Sequence, residues 1–406
     1  MKSKNKIIAT FIVCLVMLLA FSLICGFWNQ RTREGGLKVG FICSEDESTP
    51  YTYNFLQGQY ALTEEFGDNV QVYVRSNVNG SAMEESIREL IRKGCSVLFI
   101  NEDTKTVVEM APDFPEVQFC QISMPTISTE GQPENYHTFN GEIYQARYVA
   151  GIVAGMKLRE MIDSGALLPA DAVVGYVAAN NSAEVVSGYT AFLLGIRNVA
   201  PEAVMRVRYT GSWSNFPKEK EAAQALLDEG CVILSHHTNT MAPAIACESA
   251  FSHGKRVYFV GYHQSMMDVA PSSALVSIRT NWVPYIRQAA EAVMNGEDIE
   301  AAVKGNLHGN DISAGFEQDW VQMLELNKHA VPQGTEERMD RAVASLQKGK
   351  TAVFSGKYTG VNPDDPSDTV DLSREYEECR DSSSPSFRYI LQNIIIEDNP
   401  EINEAQ

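Results

Sequence analysis

The sequence predicts an α/β protein of two doubly wound parallel-sheet lobes joined by a hinge. Three observations carry that prediction. From residue 37 to residue 294, short apolar runs suited to buried strands alternate with helical segments, the pattern of a parallel sheet covered on both faces. A long helical segment over 139–155 interrupts the alternation, which then restarts. A chain of 406 residues also exceeds what one core usually serves.

The elements follow in order. LKVGFIC at 37–43 reads as the first buried strand, with a helix over 51–66, a strand over 70–74 and a helix over 81–93 after it. A strand over 96–100, a helix over 105–111 and a strand over 118–122 complete the first set. In the segment 139–155, FNGEIYQARYVAGIVAG, the residues Ile143, Ala146, Ala150, Val153 and Ala154 recur at helical spacing and give it one apolar face. Ala146, Ala150, Gly151, Ala154 and Gly155 are small enough to let a neighbouring backbone approach closely, at a cost in helix propensity. Strands then fall over 172–178, 205–209, 231–235, 256–261 and 275–279, with helices over 183–198, 217–228, 242–251 and 284–294. Residues 362–384, rich in Pro, Asp and Ser, read as loop ahead of a mixed-charge tail. The domain division expected is 1–34 as anchor or signal segment and linker, 36–137 with 264–300 as the first lobe, 138–263 with 301–375 as the second, and 376–406 as C-terminal tail.

Composition narrows the function. Apolar content of 44% with 21% charged residues leaves ample material for cores. A formal charge of −19 argues against nucleic acid, which needs clustered Lys and Arg. Residues 7–28 are nearly all apolar and stand behind Lys2, Lys4 and Lys6. Roughly 20 such residues span a bilayer, whereas the core of a cleaved signal peptide is usually ~7–15 long. Ser22, Leu23 and Ile24 before Cys25 depart from a lipobox, so a retained anchor is expected in preference to lipidation, with the rest of the chain outside the cytoplasm. The eight cysteines include no CxxC, and Cys43, Cys95, Cys120 and Cys231 fall in or beside strands as small hydrophobes. GxSxG, HExxH, GxxxxGK[ST] and GxGxxG are absent, so no nucleophile or phosphate cradle is indicated, and no enzyme activity or cofactor is expected.

The run YQARYVAG at 144–151 resembles the YQARYLAG signature of the basic membrane protein family, substrate-binding proteins of bacterial ABC importers that include purine-nucleoside receptors. Other segments resemble that family in its own order: Tyr51-Thr52-Tyr53 with Gly58, GYTAFLLG at 188–195, Trp213 with PKEKEAA at 217–223, His237-Thr238-Asn239, Gly261-Tyr262-His263, and NWVPY at 281–285. The resemblance implies a type I periplasmic-binding-protein-like fold, a small-molecule ligand of the nucleobase or nucleoside class, and an ABC permease as partner. Relatives often carry Asp where Asn239 and His263 stand, and Trp where Tyr51 stands. An amide or imidazole offers a different donor and acceptor set from a carboxylate, which loosens the inference to purines.

In open α/β sheets ligands bind beyond the carboxyl ends of the strands, at the switch in strand order. The candidates so placed are Tyr51, Tyr53, Asn54, Phe139, Trp213, His237, Asn239, Tyr262, His263 and Trp282. Aromatic faces beside amide and imidazole edges suit a flat, nitrogen-rich ring. Each candidate also has a structural reading: the two tryptophans as fillers of the lobe interface, Tyr53 as a packing residue, Glu142 as an exposed first-turn acid, Arg147 as a structural donor. His236 and His237 alternate sides of a strand, so at most one faces a cleft. His236, His237 and His263 lack a zinc-ligand spacing. The expected function is capture of a small molecule between two hinged lobes for delivery to an ABC importer. The alternative is a membrane-anchored ligand-sensing receptor without a transport role, which the uncleaved anchor and the missing acids favour.

Overall fold

The computed structural model describes residues 36–102, 104–123 and 131–397. The apolar run over 7–28, with its anchor, signal-peptide and lipidation readings, lies outside the described residues. The chain begins with β1 (Leu37–Ile42), α1 (Pro50–Phe66), β2 (Val70–Arg75), α2 (Ala82–Arg92), β3 (Val97–Ile100), α3 (Thr106–Met110), β4 (Gln118–Ile122) and β5 (Tyr136–Gly141). It continues through α4 (Ile143–Asp163), β6 (Val173–Ala178), α5 (Ala183–Arg197), β7 (Val204–Tyr209), α6 (Phe216–Asp228), β8 (Ile233–His237), α7 (Ala242–Ser252), β9 (Tyr258–Tyr262) and β10 (Ala274–Thr280). Then come α8 (Val283–Asn295), α9 (Ile299–Ala302), β11 (Asn306–His308), β12 (Asp311–Ala314), β13 (Val321–Met323) and α10 (Thr335–Leu346). The last strands are β14 (Thr359–Asn362), β15 (Asp365–Asp371), β16 (Ile390–Leu391) and β17 (Ile394–Ile396).

Two seven-stranded sheets result, ordered β11-β12-β5-β4-β3-β1-β2 and β13-β10-β9-β8-β6-β7-β17. Within them only the edge pairs β11–β12 and β10–β13 are antiparallel. The strand order reverses at β1 in one sheet and at β6 in the other, so each lobe has a switch point, beside β3 and beside β8. Helices cover both faces of each sheet. In the first lobe Phe41, Phe55, Tyr285 and Ile286 pack on one face, while Ile87, Leu90 and Leu98 pack on the other. In the second, α4 and α5 lie on one face and α6 and α7 on the other. The α/β fold of two parallel-sheet lobes is thus as expected.

The segment expected to open as a helix at Phe139 instead finishes β5 through Gly141, and α4 begins at Ile143. It is buried over most of its circumference, not along one stripe, because α5 and α10 pack against it as well as the sheet. The small residues do bring backbones together: a Cβ on Gly151 would stand 2.1 Å from the Phe192 carbonyl oxygen, and one on Gly195 would stand 2.0 Å from that of Tyr148.

The lobe boundaries also fall elsewhere than expected. β5 closes the first sheet beyond residue 138, β10 pairs with β9 in the second sheet, and β12 pairs with β5 in the first. The chain therefore crosses between lobes at Gly141–Glu142, Thr280–Val283 and Ala314–Phe316, and the loop after Tyr262 stays within the second lobe. A buried apolar strand looks the same from sequence whichever sheet it joins; the open edge that receives it decides. The region expected as loop and tail forms the β14–β15 hairpin, and β17 pairs in parallel with β7 at the edge of the second sheet. Between them, Ser382 to Ser384 reach across to the first lobe. Asp311 on β12 accepts hydrogen bonds from Thr138 Oγ1 (2.8 Å), Ser383 N (2.6 Å) and Ser382 Oγ (3.2 Å), and Ser123 Oγ meets Ser384 Oγ at 2.6 Å.

Candidate functional site

The carboxyl ends of both sheets open onto one cavity of about 660 Å³ between the lobes. Ser44 and Glu45 follow β1, Asn101 and Glu102 follow β3, and Asn140 lies near the end of β5. From the facing lobe come Asn180, Ser182 and Glu184 after β6, Trp213 with Ser212 and Ser214 after β7, and His237 with Asn239 at the end of β8. Tyr262 and His263 end β9, and Thr280 and Trp282 sit at the crossing after β10. This is the position that switch points in doubly wound sheets give to ligands. A second hollow, beside Tyr148, Arg197 and Tyr358, is made by the second lobe alone.

An unbroken line of rings forms one wall. Tyr51 meets His263 edge-on at 5.4 Å, His263 stacks on Tyr262 at 3.6 Å, Tyr262 meets His237 at 5.1 Å, and His237 meets Trp213 at 5.8 Å. His263 takes φ = +72°, a left-handed conformation that a side chain adopts at a cost of about 1–2 kcal/mol. Such strain persists where the surroundings over-determine it, and here the ring is held between Tyr262 and Tyr51. Behind the wall, the Arg147 guanidinium lies 4.0 Å from the Tyr262 ring centroid, and its Nη1 donates to the His236 carbonyl at 2.8 Å. His236 points away from the cavity, as strand alternation requires, with Nδ1 3.2 Å from Thr238 Oγ1. Gly188 leaves room for His237: a Cβ there would lie 2.7 Å from its Nδ1.

The loops carrying Trp213 and Asn239 are tied together by a residue that sequence reasoning did not single out. Buried Glu219 accepts hydrogen bonds from Thr238 Oγ1 and Thr240 Oγ1, both at 2.7 Å, and from Asn215 N at 3.1 Å. The Trp213 carbonyl in turn accepts from Asn239 N at 2.7 Å. Across the cleft, Asn239 Nδ2 donates to Glu45 Oε2 at 3.5 Å. Tyr51 donates through its hydroxyl to the Asn101 carbonyl at 3.0 Å, and the Asn101 side chain accepts from Ser44 N at 2.9 Å.

Several cavity groups have no protein hydrogen-bond partner: Asn101 Nδ2, Ser182 Oγ, both ring nitrogens of His237, His263 Nε2 and Trp282 Nε1. Buried polar atoms are costly unless paired, so residues that line one cavity and carry such atoms suit a polar guest. Among the described residues the lining contains Glu45, Glu102 and Glu184 and neither Lys nor Arg. Burial, with the Arg147 charge beside them, holds His237 and His263 well below the ordinary imidazole range, so both are neutral at pH 7. Burial raises Glu184 to about 7, against the opposing pull of Arg147. Among the described residues no group of His, Cys, Asp and Glu is arranged to hold a metal ion.

Of the ten residues proposed from sequence, Tyr51, Trp213, His237, Asn239, Tyr262, His263 and Trp282 line this cavity. The other three do not. Tyr53 is one turn face away and 43% exposed. Asn54 is buried under the crossing, where Nδ2 donates to the Thr280 carbonyl at 2.7 Å. Phe139 lies in the first lobe's core, stacked on Tyr285 at 3.8 Å. Pleating turns alternate residues of a strand, and successive faces of a helix, away from the mouth. Glu142 is not an exposed acid: its buried carboxylate accepts from Asn306 Nδ2 (2.7 Å), Ser313 Oγ (2.9 Å) and Gln145 Nε2 (2.6 Å) beside the first crossing. Sequence reasoning missed Glu45, Asn101, Glu102, Asn140, Asn180 and Glu184. The available signal for Glu45, Asn101, Glu102 and Asn180 was position just past a strand end; Asn140 lies within β5 and Glu184 in the first turn of α5, where no such signal marked them.

Comparisons with known proteins agree with this geometry. The profile of the family described as Bmp, ABC transporter substrate-binding protein PnrA-like, matches residues 41–349. A purine-binding protein of Brucella abortus is 28% identical over 327 residues, covering 80% of this chain and 84% of its own. A candidate ABC transporter glucose-binding protein of Haloferax volcanii is 32% identical over 163 residues, 40% of this chain and 38% of its own. Among solved structures, an ABC transporter solute-binding protein from Conexibacter woesei superposes with a TM-score of 0.59 at 19% identity, over 78% of this chain and 98% of that one.

Proposed function

Because the chain belongs to the Bmp family of PnrA-like ABC transporter substrate-binding proteins, we propose that its cleft captures a purine base or nucleoside and presents it to an ABC permease. The family is extracytoplasmic and non-enzymatic, and its members serve a small-molecule ligand and a permease. What supports the finer reading is a cavity shared by both lobes, with flat rings along a wall and lining residues that carry unpaired amide, imidazole and indole groups. Stacking on an aromatic is worth about 1–3 kcal/mol per base, and edge hydrogen bonds choose between bases. The purine-binding relative from Brucella abortus points the same way. Because the ligand touches both lobes at once, its contacts supply the free energy that favours the closed form. We place residues 7–28 as a retained membrane anchor that holds the cleft at the outer face.

Sugar is the second reading, favoured by the Haloferax volcanii relative and by a lining in which carboxylates and amides alternate with rings. Titration calorimetry of the full-length chain in detergent decides between them, with adenine, adenosine, inosine and glucose as probes. Saturable binding of a purine probe, without turnover, supports the first reading. Binding of glucose alone replaces it with the second, and product formation from any probe overturns both.

A further inference from the structure

Carboxylates at or below the floor of the cleft are treated differently, and the contrast bears on what the cleft accepts. Glu142 and Glu219 each receive three or more protein hydrogen bonds, which is how a buried acid is normally accommodated. Glu184, in the first turn of α5, lines the cavity with its side chain 20% exposed. No described residue donates a hydrogen bond to it, and His237 Nε2 stands 3.7 Å from Oε1. Both ring nitrogens of that histidine are themselves without a protein hydrogen-bond partner. Glu184 and His237 thus line the same cavity with hydrogen-bonding capacity that the protein does not use. Glu45 and Glu102 stand on the opposite lobe, and Arg147, which does not line the cavity, lies against the Tyr262 ring that does.

We propose that Glu184 is the specificity-determining acceptor of the cleft: together with His237 it takes the N–H or O–H edge of an uncharged or cationic guest and turns away guests bearing a phosphate or carboxylate. The inference rests on the reading of the cleft as a ligand site. At pH 8, where Glu184 is ionised, a phosphorylated guest would bring negative charge among three carboxylates with no Lys or Arg among the described lining residues to meet it. An amine, ring N–H or sugar hydroxyl would instead supply the donor that the protein does not. A carboxylate kept without donors is a stability cost maintained for binding, so the same residue leaves a signature in the ligand-free protein.

The test uses the full-length chain and its isosteric variant Glu184→Gln. Adenosine and adenosine 5′-monophosphate are the first probe pair, glucose and glucose 6-phosphate the second. The wild type is expected to prefer the unphosphorylated member of a pair by about 100-fold or more. Glu184→Gln, which loses a charge-assisted hydrogen bond, should weaken that member by about tenfold and narrow the preference. Equal binding of the two members, or an unchanged preference in the variant, overturns the proposal. The ligand-free arm stands whether or not a probe binds: at pH 8 the variant should melt above the wild type. If it melts below, Glu184 holds the fold and the proposal fails. Failure of all four probes with a higher-melting variant would remove the ligand class proposed above and still support Glu184 as the binding acceptor.

Discussion

The two cavity tryptophans differ in a way that one experiment can read. Trp213 sits on a loop, 37% exposed, in edge contact with His237 only. Trp282 is 4% exposed and packs edge-on against Phe139 at 5.7 Å and Phe55 at 6.3 Å, inside the first lobe's core. Trp213→Ala removes one ring contact from a side chain that is over a third exposed, which costs the free protein about 1–2 kcal/mol. Trp282→Ala opens a cavity in a packed core and costs about 3–5 kcal/mol. At roughly 2–4 °C per kcal/mol for a lobe-sized unit, that is a fall in melting temperature of about 6–20 °C. In binding the order changes. Loss of a stacking face on Trp213 forfeits about 1–3 kcal/mol, about 5- to 150-fold in affinity. Trp282→Phe keeps one ring in the core but trims the rest of the indole with its unpaired N–H, so it should melt between the wild type and Trp282→Ala while binding more weakly. Differential scanning calorimetry with and without adenosine separates the three variants. If Trp213→Ala melts as low as Trp282→Ala, or Trp282→Ala holds within about 2 °C of the wild type, the division into cleft face and core face is wrong.

Three further outcomes are expected. Gly188→Ala places a methyl where only 2.7 Å separates it from the His237 ring, so it should reduce ligand affinity more than it lowers the melting temperature; equal effects on both would count against the fit. Asp311→Ala leaves the buried Thr138 and Ser383 donors and the half-buried Ser382 without their acceptor, an expected loss of about 3 kcal/mol. Amide exchange should then rise over 378–387, and unchanged exchange there would mean that Asp311 does not hold that segment. The pH dependence of stability follows from Glu184, whose folded value of about 7 exceeds the ordinary 4.5. In that window the native state binds the extra proton, so stability falls as pH rises from about 4.5 through 7, by up to about 3 kcal/mol. Glu184→Gln removes this penalty, so chemical denaturation should give equal stabilities near pH 4.5 and a widening advantage for the variant towards pH 8. The neutral His237 and His263 act oppositely, as the unfolded chain gains protons below about 6.5 that they refuse, and this contributes acid lability to wild type and variant alike.

Much of the fold was legible in the chain. Apolar strand runs and helical periodicity each record a local requirement, burial on two faces or on one side, so the alternation and its restart after residue 155 were readable without coordinates. The family resemblance was readable for the same reason, because motifs such as YQARYVAG and GYTAFLLG encode a close helix contact, with Gly151 against Phe192 and Gly195 against Tyr148. Position after a strand end located seven cavity residues, since a parallel sheet sends all its carboxyl ends to one side. What the sequence could not state was partner choice. β10 joined the second sheet, β12 the first, and β17 returned from the tail to an edge more than 180 residues away, because each filled an open edge that exists only once the other strands are in place. The same holds for side-chain direction. Phe139 and Trp282 look alike as aromatic residues near a crossing, yet the first stacks wholly in the core and the second straddles core and cleft. Glu142, Glu184 and Glu219 are three glutamates at helix starts, and only packing determined which would be satisfied from within and which would be left facing the guest.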